Sequence, residues 1–257
     1  MFNNLIFRTG GILALCTPGL TMLPISAKAE TEISIAPYTV VVNYERQNDE
    51  ETVKTVSKET NAEIRHEIEL SDSQTLSGYA GLDIYHAESD PSGISAGLYL
   101  GTAYDITTGG FDLSATFEMG GDLDQDTGEM LDPYMEVSAG VGYDFDVDEA
   151  TVMTPYMQLT RTLYVDDDLT ETSATFGASI SHALSDSTDF GIDVSFGFDL
   201  PTPIQNLTTE VTFSLDHRLS ENMVLSATLT GTRYQERGGY ESESIDYSPG
   251  LTFSYVF

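Results

Sequence analysis

From residue 61 onward, apolar and polar residues alternate with a period of two in one segment after another. Asn61 to Leu70 sets Ile64, His66, Ile68 and Leu70 against Glu63, Arg65, Glu67 and Glu69. Phe111 to Gly120 sets Phe111, Leu113, Ala115, Phe117 and Met119 against Asp112, Ser114, Thr116 and Glu118. Tyr134 to Phe145 does the same with Met135, Val137, Val141 and Phe145 against Glu136, Ser138, Gly140 and Asp144. Successive side chains of a strand point to opposite faces, so each segment reads as a strand with one oily and one polar face. The same period predicts strands over 75–86, 94–105, 151–165, 170–183, 190–200, 207–219, 223–234 and 245–257. Glu32 to Arg46 is β-branched and aromatic but poorly alternating, and Pro37 weakens it as a central strand. It is taken as the first strand. Gln47 to Thr60 is highly charged and is expected to be a loop.

Tight turns are expected near residues 72, 108, 148, 186 and 221, and on average longer loops near 53, 90, 126, 167, 203 and 238. Short connections on one side and longer ones on the other are the layout of an even-stranded membrane barrel. A soluble sandwich would have polar outward faces rather than faces lined with Phe, Leu and Met. The expected fold is therefore all-β: an antiparallel up-and-down transmembrane β-barrel of about twelve strands, occupying residues 30–257 as one domain. The alternative is ten strands, with residues 30–60 as a periplasmic N-terminal extension. Closure removes the unpaired strand edges that hydrocarbon cannot solvate.

The last fifteen residues, ESIDYSPGLTFSYVF, put Ile245, Tyr247, Leu251, Phe253, Tyr255 and Phe257 on one face. This segment, with Gly250, Phe253, Tyr255 and Phe257 as its marks, resembles the closing strand of bacterial outer-membrane β-barrels. The resemblance implies that these four residues are an assembly signal for the barrel-assembly machinery. Thr75 to His86, TLSGYAGLDIYH, is similar to an early strand of alphaproteobacterial porins. It departs from them in that the chain is too short for the sixteen strands usual in that family. The resemblance implies a porin-like protein of a Gram-negative outer membrane.

Residues 1–29 read as a signal peptide. Arg8 provides a positive end, 11–23 an apolar middle, and Ala27-Lys28-Ala29 a small-x-small cleavage site. The single cysteine, Cys16, lies inside that leader, so neither disulfides nor thiolate chemistry are expected in the mature chain. The formal charge of −32 repels phosphate backbones and argues against a nucleic-acid partner.

The polar parity collects Asp83, Asp105, Asp112, Glu118, Glu136, Asp144, Asp193, Asp199, Glu210, Asp216 and Asp246, against Arg218 and Arg65. Unpaired carboxylates in a dry core would be costly, so water must reach them. The expected function is passive, cation-preferring diffusion of small hydrophilic solutes or cations through a lumen lined by these acids. Inward glycines such as Gly81, Gly101, Gly140, Gly177, Gly191 and Gly250 are expected to leave the lumen open. The alternatives are a non-conducting structural or adhesion barrel and a rim-active hydrolase built on His86 beside Asp83. No enzyme activity and no cofactor are expected, because His66, His86, His182 and His217 all fall on the apolar parity. Asp122, Asp124 and Asp126 recur at every second residue and form a candidate calcium loop, although the spacing departs from the EF-hand pattern. Arg161 and Arg233 interrupt apolar parities near the outer ends of their strands and are expected to contact lipopolysaccharide phosphates. The oligomeric state is left open.

Overall fold

A computed structural model describes residues 28–47, 53–87, 94–124, 127, 129–165, 169–200, 206–236 and 242–257. The described residues form thirteen hydrogen-bonded segments and no helix: β1 (Lys28–Gln47), β2 (Val53–Ser71), β3 (Gln74–Ala87), β4 (Ile94–Thr108), β5 (Phe111–Leu123), β6 (Met130–Tyr143), β7 (Phe145–Asp148), β8 (Thr151–Tyr164), β9 (Leu169–Ser185), β10 (Thr188–Leu200), β11 (Asn206–Ser220), β12 (Met223–Glu236) and β13 (Ser242–Val256). Each pairs antiparallel with its neighbours in sequence, except that β6 and β7 do not pair with each other and both pair with β8. The ring closes where β1 meets β13, with Glu32 opposite Val256 and the Phe257 amide donating to the Thr31 carbonyl at 2.8 Å.

β6 and β7 are two halves of one strand. Gly142 lies opposite Tyr156 and Phe145 opposite Met153, so the register along β8 is the same on both sides of the break. The interruption faces Pro155, which has no N–H to give to the ladder. The barrel thus has twelve strands, and the ten-strand alternative falls, because β1 and β2 are wall strands. The stretch expected as a loop over 47–60 is also corrected: residues 53–60 belong to β2. With 19 residues, β2 outruns the roughly 9–11 that a tilted strand needs to cross hydrocarbon, so part of it extends beyond the apolar band. Pro37 sits in a bulge that shifts the register of β1 on both sides, and its carbonyl accepts from Thr60 Oγ1 at 3.1 Å.

The five short turns each have two residues between strands. Gly109 (φ 60°) and Gly110 (φ 84°) take the left-handed conformations that suit a two-residue hairpin. The other four use a side chain instead. Ser71, Asp148, Ser185 and Ser220 accept from the amide two residues on, at 3.4, 2.9, 3.3 and 3.3 Å. Each of these turns is accompanied by a one-residue register shift, which leaves Leu70, Val147, Leu184 and Leu219 as bulged residues.

There is no dry centre. Among the described residues only Ala103 and Ala174 are buried hydrophobics, and no large side chain is fully buried. The apolar parity faces outward, with Phe196 45% and Leu229 48% exposed. So large an apolar exterior suits hydrocarbon, not water. Aromatic rings gather near the short-turn rim: Phe111 against Tyr143, Tyr143 against Phe145, and Tyr255 against Phe257, with centroids 4.6–4.7 Å apart. Amphipathic rings settle at a membrane–water boundary in this way.

Candidate functional site

The inward face is where the sheet is concave, and there side chains from strands two apart reach each other. Tyr79 on β3 donates from Oη to Glu118 Oε2 on β5 at 3.1 Å, passing over Gly101 of β4, which lies opposite both. Tyr99 on β4 donates to Glu63 Oε2 on β2 at 3.1 Å, passing over Gly81 of β3. Tyr156 on β8 reaches over Gly177 of β9 to donate to Asp193 Oδ1 on β10 at 2.9 Å. A Cβ at Gly81, Gly101 or Gly177 would collide with the ring above it. The expectation that these glycines leave open space is therefore corrected: they are saddles occupied by tyrosine. At Gly140, Gly191 and Gly250 a Ser or Thr hydroxyl fills the position instead.

Around Glu118 and Glu63 the network is continuous. Tyr134 Oη donates to Glu118 Oε1 at 2.7 Å, Asn61 Nδ2 donates to Asp83 Oδ1 at 2.7 Å and to Tyr99 Oη at 3.1 Å, and Arg65 Nε meets Glu63 Oε1 at 3.0 Å. The Arg65 guanidinium also lies 4.7 Å from the centre of the Tyr79 ring. The wall from β2 to β6 is thereby thickened and braced.

The facing wall is more open. A cavity of ≈330 Å³ is lined by β6, β8, β9, β10 and β11, with Glu136, Gln158, Thr162, Glu171, Asp199 and Glu210 among its residues, and among the described residues no Lys, Arg or His takes part in the lining.

The remaining predicted acids can now be placed. Thr162 donates to Glu136 at 3.0 Å, Thr232 to Glu210 at 3.2 Å and Thr107 to Asp112 at 2.7 Å. Asp144, exposed at the break between β6 and β7, accepts from Thr154, and Asp199, exposed at the outer end of β10, accepts from Asn206. Asp193 Oδ2 is buried without a partner, Asp105 and Asp216 are half-buried, and Asp246 is buried. With Asp83, eight of the eleven predicted acids thus accept from a neutral hydroxyl or amide. Such donors satisfy oxygen lone pairs and leave the negative charge standing.

His86 and Asp83 are three residues apart on β3 and point to opposite faces, so the rim pairing considered for a hydrolase does not form. His66, His182 and His217 lie on the outward parity near the short turns, with Nδ1 hydrogen-bonded to Thr31, Thr151 and Thr188 at 2.8–2.9 Å. Asp124 caps its own turn, accepting from the Thr127 amide and hydroxyl at 2.7 and 2.9 Å. Asp126 lies outside the described residues, as does nearly all of the expected leader. Among the described residues no group of three or more His, Cys, Asp or Glu is placed to hold a metal. Arg161 and Arg233 are exposed on the outer surface. Of the closing-strand residues, Gly250 lies opposite Thr39, Phe253 is half-buried, and Tyr255 and Phe257 are exposed.

The sequence reading missed the tyrosines. Their signal is the pair of Tyr-x-Gly motifs at Tyr79-Ala80-Gly81 and Tyr99-Leu100-Gly101, in which an antiparallel register sets each Tyr against the other motif's Gly.

Solved structures that superpose on this chain include outer-membrane barrels. An outer-membrane channel from Pseudomonas putida F1 superposes with a TM-score of 0.62 at 13% identity, over 95% of this chain and 100% of that one. The β domain of the Bordetella autotransporter Brka gives 0.58 at 15% identity over 90% and 100%. The translocator domain of the autotransporter NalP from Neisseria meningitidis gives 0.57 at 11% over 89% and 88%. At these identities the likeness is one of fold. No curated protein matches the sequence. The family model described as Autotransporter beta-domain matches residues 68–253, from the end of β2 to the closing strand. The chain is an outer-membrane β-barrel and belongs to the autotransporter β-domain family.

Proposed function

We propose that the barrel is a passive channel whose lumen favours small hydrophilic cations over anions. The observation that carries this reading is the mismatch between hydrogen bonding and charge on the inward face. Glu118, Glu136, Asp193 and Glu210 are held by Tyr and Thr hydroxyls, and the cavity beside Glu136 and Glu210 has no basic residue among its described lining. A carboxylate so held keeps its orientation and its field. In a narrow, low-dielectric surround that field raises the local concentration of cations. The braced β2–β6 wall directs passage along the β6–β11 side.

Planar-bilayer recording tests this. In a potassium chloride gradient the reversal potential is expected to report cation preference. The preference should weaken as ionic strength rises, because the Debye length falls from about 30 Å at 0.01 M to about 3 Å at 1 M. The Glu136→Gln/Glu210→Gln pair should lower the cation-to-anion permeability ratio without abolishing conductance. Anion preference, or the absence of conductance from folded barrels, would overturn the reading.

Family membership favours a second reading, in which the lumen admits an extended polypeptide; the similar NalP domain is named a translocator. A thiol placed at Gln158 and probed with reagents of increasing size separates the two. An occupied lumen protects it from the smallest reagent, whereas an open one admits that reagent.

A further inference from the structure

Charge in the wall is sorted by face. Apart from Asp132, in the β5–β6 irregularity, and Asp148, just past the Val147 bulge, the strand carboxylates whose side chains are described lie on the lumenal parity. The outward parity of the same strands carries Lys58, Arg161 and Arg233 instead.

The two arginines occupy equivalent places. Arg161 is ten residues above the first residue of β8, and Arg233 ten above the first residue of β12. At about 3.3 Å per residue and a tilt near 40°, ten residues rise about 25 Å, roughly the height of the apolar band of a membrane barrel. Below them the outward positions are oily: Met157 and Leu159 on β8, Ala227 and Leu229 on β12. Each arginine is also flanked alike. Arg161 lies between Thr172 and Val137, and Arg233 between Thr209 and Ile245. A planar guanidinium beside a hydroxyl, at the upper edge of an apolar band, matches a phosphate carried on an acylated lipid: acyl chains against the oily wall, phosphate oxygens against the donors above.

We propose that the Arg161–Thr172 and Arg233–Thr209 pairs are two equivalent sites for the phosphate groups of an acylated, phosphorylated glycolipid of the outer leaflet. Such sites would fix the barrel's height in the membrane, and they do not depend on what passes through the lumen.

The test uses the full barrel, folded in a zwitterionic detergent and titrated with bis-phosphorylated lipid A, dephosphorylated lipid A and inorganic phosphate. Saturable binding of the phosphorylated lipid is expected. Affinity should fall by about fivefold for each of Arg161→Gln and Arg233→Gln, the worth of one basic residue at an anionic membrane surface. The lysine variants at both positions should retain part of it. Heat-modifiable gel mobility identifies folded variants, and the double glutamine variant should keep its conductance in phosphatidylcholine bilayers. The proposal is overturned if the folded double variant binds as the parent does, or if dephosphorylated lipid A binds equally well. Displacement of the lipid by millimolar inorganic phosphate would also overturn it in favour of a free-anion site. None of these outcomes bears on ion selectivity.

Discussion

Tyr79 and Glu118 belong to strands that do not touch, yet their side chains are joined by a 3.1 Å hydrogen bond over Gly101. The arrangement recurs in reverse with Tyr99, Gly81 and Glu63. A glycine in the middle strand is what lets the ring lie flat enough to cross it.

Gly101→Val is accordingly expected to lift the Tyr79 ring and break the bond to Glu118, destabilising the barrel by about 1–3 kcal/mol through overpacking. Tyr79→Phe keeps the ring over the glycine and should cost only about 1 kcal/mol, the worth of one hydrogen bond. Urea unfolding in lipid vesicles measures both. Equal effects would argue that the hydroxyl, and not the fit of ring on glycine, holds this wall together.

Arg65 sets a local charge balance as well as a contact. Arg65→Gln removes its ion pair to Glu63 and the cation over the Tyr79 ring, while Tyr99 still donates to Glu63. A loss of about 1–3 kcal/mol is expected. The lumen also becomes one charge more negative, so the cation-to-anion permeability ratio should rise. A fall in that ratio would contradict the charge-based account of selectivity.

The turn after β7 should respond to acid. The Ala150 amide, followed by the Thr151 hydroxyl, holds the Asp148 carboxyl below the usual carboxylate range. A group with a depressed folded-state pKa contributes stability that is present above its unfolded value, about 3.9, and lost as pH falls through the folded value. Exchange protection of the Ala150 amide, corrected for intrinsic rate, should thus drop only as pH falls below the usual carboxylate range, and Asp148→Asn should show no such drop.

Phe257 joins barrel closure to the aromatic rim, since its amide bonds to Thr31 and its ring packs on Tyr255. Phe257→Ala keeps the amide bond to Thr31 and should cost about 1 kcal/mol of aromatic contact in the folded barrel. If the closing strand is also the assembly signal, the fraction of heat-modifiable barrel in cells should fall severalfold, much more than the loss in stability requires. Matched losses in cells and in vitro would assign Phe257 a structural role alone.

Strand number, the sorting of side chains between faces and the side on which each connection lies were legible in the chain. They follow from a period of two and from where Gly, Ser and Asp interrupt it, both properties of neighbours in sequence. That is why Asp83, Glu118, Glu136 and Glu210 could be assigned to the polar face, and Phe196 and Leu229 to the oily one, before any pairing was known. Charged residues 53–60 misled because length of strand outside the membrane leaves no hydropathy signal, and their place in β2 is decided by the partners β1 and β3 offer. Which side chains meet depended on register and on curvature. Only a closed sheet brings Tyr79 of β3 to Glu118 of β5, and only the pairing of Tyr with Gly across two strands turns apparent gaps in the wall into filled ones. Periodicity reports the face a residue takes; its partners on that face are set by strands distant in sequence.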